Sequence, residues 1–327
     1  MNETSALTAD DSHAAVETGC LFPELVGRGP AMQALFGEMV LVTDSELSVH
    51  VFGETGTGKE RVALAIHRRS RRSAQPFVAI NASSLSDELF EAELFGHARG
   101  AFTGAVAARE GYVARAEGGT LFIDEVAELT PRGQAKLLRF VQEKEYRRLG
   151  ETETRRANVR VLSAANVDLE RRVAAGLFRE DLMYRLRPIV LALPPLRERG
   201  DDVLLLARHF LRLAAQRERV PVPVLPMEVV NDLARYAWPG NVRELENEMS
   251  RLVVLAGRAP LRREHLSPRI RAASAQPRSG LREARRGFER EFVARALSRN
   301  DGNRTRTAYE LGVTRQALVA KIRRLGL

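Results

Sequence analysis

A glycine-rich segment between an apolar run and a helical stretch constrains the fold of this chain more than any other feature. It follows the apolar run Ser48–Phe52, precedes the helical stretch Arg61–Arg69, and reads Gly53-Glu54-Thr55-Gly56-Thr57-Gly58-Lys59. Backbone N–H groups in such a loop converge on phosphate oxygens, the helix N-terminus adds positive potential, and the lysine reaches the β- and γ-phosphates. The segment predicts an ATP-binding P-loop, with a plain glycine-rich turn as the alternative.

A pair of acidic residues supports this nucleotide site. The position after Lys59 is Glu60, where the general P-loop pattern has a Ser or Thr that binds Mg²⁺. Further along, the apolar run Thr120–Ile123 is followed by Asp124 and Glu125, as in a Walker B motif. Asp124 would hold Mg²⁺ through water, and Glu125 would orient or deprotonate the attacking water. Two solvated acids at a strand end are the alternative, but both motifs together predict an ATPase that uses ATP and Mg²⁺.

The order of predicted elements indicates an α/β domain followed by helical units. Strand-like runs at 47–52, 76–80, 119–123 and 159–164 alternate with helical patterns, which predicts a parallel sheet covered by helices on both faces. From residue 194 onward the patterns are helical, at 203–217, 227–236 and 242–255. We expect a disordered leader over 1–20, an α/β subdomain over 21–193, a helical subdomain over 194–270, a linker over 271–280 and a helical unit over 281–327.

Composition restricts the compartment and the partners. Cys20 is the one cysteine, so an intrachain disulfide is excluded. Apolar runs such as Ile189–Leu193 stop at prolines, well short of the roughly 18 residues of a membrane span, and residues 1–17 lack the pattern of a secretory signal. We therefore expect a cytoplasmic protein with no membrane partner.

Positive charge is concentrated near the C-terminal end. Residues 258–327 hold 18 Lys and Arg against 6 Asp and Glu, whereas the whole chain holds 51 against 42. A basic end on a near-neutral body favours a polyanion as the partner of that end. A solvated basic surface would have the same composition.

The last 40 or so residues have the pattern of three short helices. An amphipathic helix over 288–298 is followed by a turn at 300–303, a helix over 305–311 and a second helix from Thr314. Gly312 suits a left-handed C-cap, and Thr314 suits an N-cap. The residues expected on the buried faces are Phe288, Phe292, Ala296 or Leu297, Leu318, Ile322 and Leu325.

The polar face of the last helix predicts contact with DNA. A tight turn followed by a polar second helix is typical of a helix-turn-helix, whose second helix enters the major groove. Arg and Gln can read the edges of G and A, while Lys mostly contacts phosphate. An amphipathic hairpin used for oligomerisation is the alternative. The predicted contact residues are Thr314, Arg315, Gln316, Lys321 and Arg324.

Between the two nucleotide motifs lies a hexapeptide that turns sharply at its glycines. It reads Gly100-Ala101-Phe102-Thr103-Gly104-Ala105, which would place Phe102 and Thr103 at a tip; a hairpin turn whose Phe packs inward is the alternative. With this hexapeptide the chain resembles, over about residues 21–327, the sigma-54-dependent transcriptional activators of the AAA+ class. The resemblance implies an AAA+ P-loop sheet with a helical lid, then a Fis-type helix-turn-helix. It also implies that the loop contacts sigma-54 and moves with the γ-phosphate of ATP.

The resemblance assigns roles to five further residues. Asn81 matches the residue that restrains the Walker B glutamate until the target is engaged, and Asn166 matches a nucleotide sensor. Arg179 and Arg185 match two arginine fingers, which reach the γ-phosphate of a neighbouring subunit, so a homo-oligomer between a dimer and a hexameric ring is implied. Arg243 matches the lid sensor that approaches the phosphates.

Three positions bear on how well the chain fits the family. Glu60 is the family's usual residue after the P-loop lysine. Ala98 stands where the family commonly has a Glu, and Ala165 stands where it usually has a Thr before the sensor Asn. Because both alanines belong to the relay between phosphate and loop, the strength of that coupling is open.

The implied function is ATP-driven activation of transcription. The partners would be sigma-54 RNA polymerase holoenzyme and double-stranded DNA at an upstream activating sequence. The leader over 1–20 leaves no room for a regulatory domain, so a regulator acting in trans is one source of control. A DNA-binding repressor with a vestigial ATPase and a general AAA+ remodelling chaperone are the rival functions. The intact Lys59, Asp124, Glu125 and hexapeptide disfavour the first rival, and the terminal helix-turn-helix disfavours the second.

Overall fold

A computed structural model of the chain describes residues 22, 24–84, 87–102, 105–275, 289–290, 292–297, 299–300 and 303–325. They fall into two compact units, one ending at Ser267 and one beginning at Pro268. The expected leader over 1–20 lies outside the described residues. Within the described part of the chain, none of the helices is long and apolar enough to cross a membrane.

A five-stranded sheet organises the first unit. Its neighbouring strands are all parallel, and their order across the sheet is β2-β3-β4-β1-β5. The fifth of these strands was not predicted: it is the short apolar run that ends before the prolines at 194 and 195. The strands are β1 Val49–Phe52, β2 Phe77–Asn81, β3 Thr120–Asp124, β4 Arg160–Ala165 and β5 Ile189–Ala192.

Helices cover both faces of this sheet, as the alternating pattern predicts. One face packs against α1 and α2 through residues such as Phe36 and Ile66, and the other against α3, α5 and α7 through residues such as Leu94, Phe140 and Leu182. Burial from both sides explains why all six residues of β4 are buried. The helices are α1 Pro30–Thr43, α2 Lys59–Arg68, α3 Asp87–Phe95, α4 Tyr112–Arg115, α5 Pro131–Glu143, α6 Leu169–Ala174 and α7 Glu180–Leu186.

Three helices follow the sheet and form the lid. They are α8 Asp202–Glu218, α9 Met227–Arg235 and α10 Asn241–Ala256, close to the predicted bounds. The α8 and α10 helices pack against each other. Trp238, in the turn before α10, is fully buried, and its indole N–H donates to the carbonyl oxygen of Leu233 at 2.9 Å. This bond fixes the turn from which α10 starts.

Two small antiparallel ladders project from the sheet domain. One pairs Gly96–His97 with Arg109–Glu110, and the other pairs Glu145–Tyr146 with Arg155–Arg156. A bridge between His97 and Leu149 joins them. Each strand has two residues, so the sequence pattern did not reveal them.

The second unit is helical. It contains α11 Pro268–Ala275, α12 Arg304–Glu310 and α13 Arg315–Leu325, and residues 289–290 and 292–297 are also helical. The α11 helix therefore includes residues 271–275 of the stretch for which we expected a linker, and residues 276–280 lie outside the described part.

The core of the second unit confirms one predicted stripe and corrects another. Leu318 and Leu325 are buried, with Ile322 packed against them, as expected. The prediction that Phe292 lies on the buried face of its helix is wrong, because 49% of Phe292 is exposed. Ala296 is buried and Leu297 packs against the same core, as expected, and Val293 has the buried position that we expected Phe292 to hold. Phe288 lies outside the described residues.

Candidate functional site

The carboxyl ends of four parallel strands bring the predicted nucleotide-binding residues to one edge of the sheet. The P-loop begins directly after β1, Asn81 ends β2, Asp124 ends β3 and Asn166 follows β4. Since β1 lies between β4 and β5, the P-loop is flanked by neighbouring strands on both sides. The fold therefore assembles at one edge residues that are more than 100 positions apart in sequence.

The P-loop backbone requires glycine at two positions. Gly56 and Gly58 have φ angles of +78° and +101°, a region that L side chains rarely adopt. A Cβ on Gly56 would also lie 2.4 Å from the carbonyl oxygen of Gly240. The backbone N–H of Gly53 donates to the carbonyl oxygen of Ala165 at 3.2 Å, which anchors the loop to the end of β4.

Lys59 is the first residue of α2, and only 7% of it is exposed. Its ammonium donates to the carbonyl oxygens of Gly53 at 2.9 Å and Glu54 at 3.3 Å. Burial lowers the pKa of Lys59, and the carboxylates of Asp124 and Glu125 act in the opposite direction. The lysine therefore lies within electrostatic reach of both Walker B acids.

The Walker B acids lie on a strained backbone. Glu125 has a φ of +53°, which is uncommon for a residue with a side chain and is typical of functional sites. Its backbone N–H donates to Asp124 Oδ1 at 2.9 Å. Burial raises the pKa of Asp124, and Lys59 opposes that shift. A carboxylate that is partly desolvated beside a P-loop lysine is a suitable ligand for a hard cation such as Mg²⁺.

Asn81 lies beside these acids. It is the register partner of Asp124 on the adjacent strand. Its side-chain oxygen accepts hydrogen bonds from the backbone N–H and the hydroxyl of Ser83, both at 2.8 Å. The side chain is thus oriented by its own turn at the edge of the site.

Asn166, the predicted nucleotide sensor after β4, contacts the P-loop directly. The Asn166 amide donates to Thr55 Oγ1 at 3.1 Å, and its Oδ1 is buried with no hydrogen-bond partner among the described residues. The hydroxyl of Thr57 donates within the loop, to the carbonyl oxygen of Glu54 at 2.7 Å. Glu60, in the first turn of α2, is exposed. Within the described part of the chain, Asn166 thus has a buried acceptor without a partner beside the P-loop.

Residues at the start of the lid are bonded to the same loop. The backbone N–H of Arg243 donates to the carbonyl oxygen of Gly56 at 3.1 Å. The buried Asn241 amide donates to both Glu54 Oε2 and the Thr55 carbonyl oxygen, at 3.1 Å each. Arg197 makes two hydrogen bonds to the Glu54 carboxylate, at 2.7 and 2.9 Å, which hold the pKa of Glu54 below its usual value. The sequence motifs did not reveal the bonds made by Arg197 and Asn241.

A cleft opens between the segment before α1, the P-loop and α8. Its walls are mainly apolar. Thr57 belongs to the predicted P-loop, but the sequence did not predict the apolar walls, because ordinary apolar side chains from separate segments meet there only in the fold. The lining includes Leu25, Val26, Thr57, Leu206, His209 and Phe210.

The two predicted arginine fingers lie at the two ends of α7, and both are exposed. Arg179 makes two hydrogen bonds to Asp181, at 2.7 and 3.0 Å. Within the described residues, no carboxylate lies within ion-pair distance of Arg185. Neither arginine is among the groups that act electrostatically on Lys59 and Asp124 within this chain, and their role as fingers stays a prediction.

The hexapeptide loop is closed by backbone hydrogen bonds. Gly100 N–H donates to the Ala105 carbonyl oxygen at 2.9 Å, and Ala105 N–H donates to that of Phe102 at 3.0 Å. The Phe102 ring is half-buried and meets the His97 ring edge-on, with ring centroids 5.0 Å apart. Thr103 and Gly104 lie outside the described residues.

The second small ladder supports this loop from below. Ala98 N–H donates to the carbonyl oxygen of Leu149 at 2.9 Å. A Cβ on Gly150 would lie 3.0 Å from the Cβ of Ala101 and 3.6 Å from that of Ala98. The small side chain at position 98 therefore lies in the contact between the loop and the 145–156 hairpin.

The helix-turn-helix has the predicted caps. Gly312 has a φ of +63°, and Thr314 Oγ1 accepts the backbone N–H of Ala317 at 3.2 Å. Arg315 and Gln316 are exposed at the start of α13. Of the other predicted contacts, Lys321 forms an ion pair with Glu289, and the side chain of Arg324 is outside the described part of the molecule.

Family models match most of the chain. Residues 25–192 match the sigma-54 interaction domain, residues 197–282 the AAA+ ATPase lid domain, and residues 284–325 the bacterial regulatory protein, Fis family. The transcriptional regulatory protein ZraR of Salmonella typhimurium is 42% identical over 316 residues, which are 94% of this chain and 72% of ZraR. This chain belongs to the sigma-54-dependent transcriptional activators.

Other relatives agree with this assignment of the activator. The regulatory protein AtoC of Escherichia coli is 40% identical over 325 residues, which cover 96% of this chain and 70% of AtoC. The crystal structure of NtrX from Brucella abortus in complex with ATP is 32% identical, with a TM-score of 0.72 over 97% of this chain and 74% of that one. The activator is thus an AAA+ ATPase that binds ATP, with a Fis-type DNA-binding unit, which confirms the expected fold class and family. The roles of individual residues and the domain bounds stay predictions.

Proposed function

We propose that this activator uses ATP hydrolysis to convert sigma-54 RNA polymerase holoenzyme from a closed to an open promoter complex. Its Fis-type unit would hold it to enhancer-like DNA, an upstream activating sequence. The observation that supports hydrolysis, rather than binding alone, is that the fold brings the buried Lys59 at the start of α2 to the same sheet edge as Asp124 and Glu125 at the end of β3. A vestigial ATPase would not need to keep all three residues.

Each residue at the sheet edge would have its own role in hydrolysis. Lys59 and the P-loop N–H groups would bind the β- and γ-phosphates. Asp124 would hold Mg²⁺, which neutralises charge on the phosphate oxygens when bound. Glu125 would accept the proton of the attacking water. Asn166 Oδ1, unpartnered among the described residues, would accept a hydrogen bond. We place the adenine base in the apolar cleft lined by Leu206.

Assembly into a ring would complete the site. The exposed Arg179 and Arg185 are placed to serve a neighbouring subunit, where an arginine finger increases the rate by about 10³–10⁵. We propose a homo-oligomer that reaches a hexamer when nucleotide is bound. Arg179 must leave Asp181 for this role, whereas Arg185 has no ion pair to break within the described residues.

The hexapeptide loop would carry the mechanical output. The backbone bond between Ala98 and Leu149 links the loop to the 145–156 hairpin. A displacement of the hairpin would therefore displace the loop as well. Release of Phe102 from its contact with His97 would expose an aromatic ring to sigma-54. An exposed aromatic side chain is typical of an interaction site.

The test uses purified chain, sigma-54 holoenzyme and a supercoiled promoter that carries an upstream site. Open complexes, detected by permanganate reactivity of unpaired thymines, should form with ATP and not with a non-hydrolysable analogue. Phe102→Ala and Thr103→Ala should keep ATPase activity and lose open complexes. Equal open-complex yield without hydrolysable ATP would show that the proposal is wrong.

A further inference from the structure

A buried carboxylate joins two walls of the apolar cleft. Asp202 is the first residue of α8, and 2% of it is exposed. Its Oδ1 accepts the backbone N–H of Arg28 at 2.7 Å and that of Gly29 at 3.0 Å, and its Oδ2 lies 3.2 Å from the same Gly29 nitrogen. Hydrogen bonds to a charged, buried acceptor are stronger than neutral ones. Asp202 therefore fixes the segment before α1 to the lid.

The two elements joined in this way carry opposite sides of the cleft. Leu25 and Val26 line it immediately before the segment that Asp202 holds. Leu206 and Phe210 line it from α8, and they follow Asp202 by four and eight residues, so they lie near its face of the helix. The separation of the walls thus depends on the bonds of one side chain.

The segment before α1 has glycines where its backbone approaches the Asp202 carboxylate. Gly29 has a φ of −62°, so backbone torsion does not explain a glycine there. A Cβ on Gly29 would lie 2.8 Å from the carbonyl oxygen of Arg199 and 3.1 Å from Asp202 Oδ2. A Cβ on Gly27 would also lie 3.1 Å from Asp202 Oδ2. Close approach to Arg199 and Asp202 accounts for Gly29, and close approach to Met32, at 2.9 Å, and to Asp202 accounts for Gly27.

Arg199 extends the connection to the P-loop. Only 4% of Arg199 is exposed, and its guanidinium donates to the carbonyl oxygens of Thr57 at 3.0 Å and Pro194 at 2.9 Å. Burial lowers the pKa of Arg199 to about 10, and the nearby Asp202 opposes that shift. Arg199 thus bonds to the P-loop backbone, whereas Asp202 bonds to the segment before α1.

We propose that Asp202 is a positioning residue for the nucleotide base: its carboxylate holds the Leu25–Val26 wall against the Leu206–Phe210 wall and so sets the width of the base pocket. This inference depends on the proposed placement of adenine in the cleft. It requires that loss of the carboxylate weaken the base-dependent part of nucleotide affinity and leave the phosphate-dependent part unchanged.

The experiment compares two ligands that share only the phosphates. Calorimetric titration of the full chain with Mg–ATP and with Mg–tripolyphosphate is carried out for wild type, Asp202→Asn and Asp201→Asn; Asp201 is the adjacent, exposed acid. For Asp202→Asn we expect about a tenfold loss of ATP affinity and unchanged tripolyphosphate affinity. The same variant should raise KM for ATP more than it lowers kcat, as expected when ground-state binding is lost. Asp201→Asn should match wild type with both ligands.

Unchanged ATP affinity in a folded Asp202→Asn, or an equal loss of both ligands, would overturn the inference. If wild type binds ATP no better than tripolyphosphate, the placement of the base is wrong, which is a separate failure. Gly29→Ala provides a second test if Asp202→Asn does not fold, because the added methyl group presses on Arg199 and Asp202 from the other side. It should lose ATP affinity selectively, whereas Gly37→Ala, where a Cβ would meet nothing within 4 Å, should behave as wild type.

Discussion

Asn81 and Asp124 are register partners at the ends of two neighbouring parallel strands. The residue after Asp124 is Glu125, whose left-handed backbone turns the chain away from the strand direction immediately after the pair. A polar amide and the two acids of the nucleotide site therefore share one corner of the sheet edge. A change in the charge held by the acids should therefore act on this amide at close range.

We expect Glu125→Gln to bind ATP as wild type does and to hydrolyse it about 10²–10⁴ times more slowly, because a general base is lost while the bonds to phosphate remain. Calorimetric affinity and steady-state phosphate release measure the two effects. Glu128→Gln is the matched control, since Glu128 is exposed and pairs with Arg172. Comparable hydrolysis by Glu125→Gln and wild type would remove Glu125 from the mechanism.

Gly150→Ala should separate hydrolysis from remodelling. Gly150 has a φ of +79° and an added Cβ would press on Ala101, so the substitution costs about 1–2 kcal/mol in backbone strain and displaces the hexapeptide loop. ATPase activity should persist while the yield of open complexes falls. Gly118→Ala has a similar φ of +72°, but its nearest contact is a flexible Gln75 side chain at 3.4 Å, so it should form open complexes normally. Normal remodelling by Gly150→Ala would show that the hairpin does not support the loop.

Arg315→Ala should weaken binding to the activator's own DNA site by about 1–3 kcal/mol and leave non-specific binding nearly unchanged, because a base-edge contact is lost. Fluorescence anisotropy with a selected DNA fragment and with a random one measures both quantities. Lys321→Ala should lower the slope of log affinity against log salt by about one if the lysine leaves Glu289 for a phosphate. An unchanged slope would show that Lys321 has a structural role and does not contact phosphate.

The pH dependence of stability should report on His50. This histidine is 1% exposed in β1, with Nδ1 2.9 Å from the Ser163 hydroxyl, and burial followed by the charge of Arg187 lowers its pKa to about 3. In the unfolded chain His50 binds a proton near pH 6.5, whereas in the folded chain it stays neutral down to about pH 3. The free energy of unfolding therefore falls as pH decreases from about 6.5 towards 3. The slope from this one group is about 1.4 kcal/mol per pH unit.

Urea unfolding between about pH 7 and pH 5 tests this expectation. His50→Gln should show a smaller pH dependence than wild type, whatever its stability at neutral pH. Burial also lowers the pKa of His67, so some dependence of the same sign should remain in the variant. Identical slopes for the two proteins would contradict the assignment to His50.

The sequence predicted those parts of the site in which chemistry restricts the residue type. Phosphate binding needs the glycines and Lys59, and the acids at 124 and 125 have few substitutes, so these residues are visible in a single sequence. The cleft walls are different, because Leu25 and Leu206 are ordinary apolar residues that meet only after folding. The Asp202 carboxylate is equally hidden, since its partners are backbone N–H groups that leave no trace in the sequence except two glycines.

The secondary structure was also predictable only in part. The strands that the sequence predicted are long enough for burial on both faces to produce a continuous apolar run. The fifth strand, Ile189–Ala192, has prolines close on either side, and the two-residue ladders are too short for any periodicity. Phe292 was expected on the buried face because it is large and lies four residues before Ala296, but Val293, three residues before Ala296, is buried there.

The Glu54 carboxylate bonds to Arg197 before the lid and to Asn241 at the start of α10. Rotation of α10 away from the P-loop must therefore break a charge-assisted contact as well as backbone bonds. Because the Arg197–Glu54 pair is exposed, dissolved salt screens it much more effectively than it screens the buried contacts around Lys59. Higher ionic strength should therefore favour movement of the lid away from the P-loop.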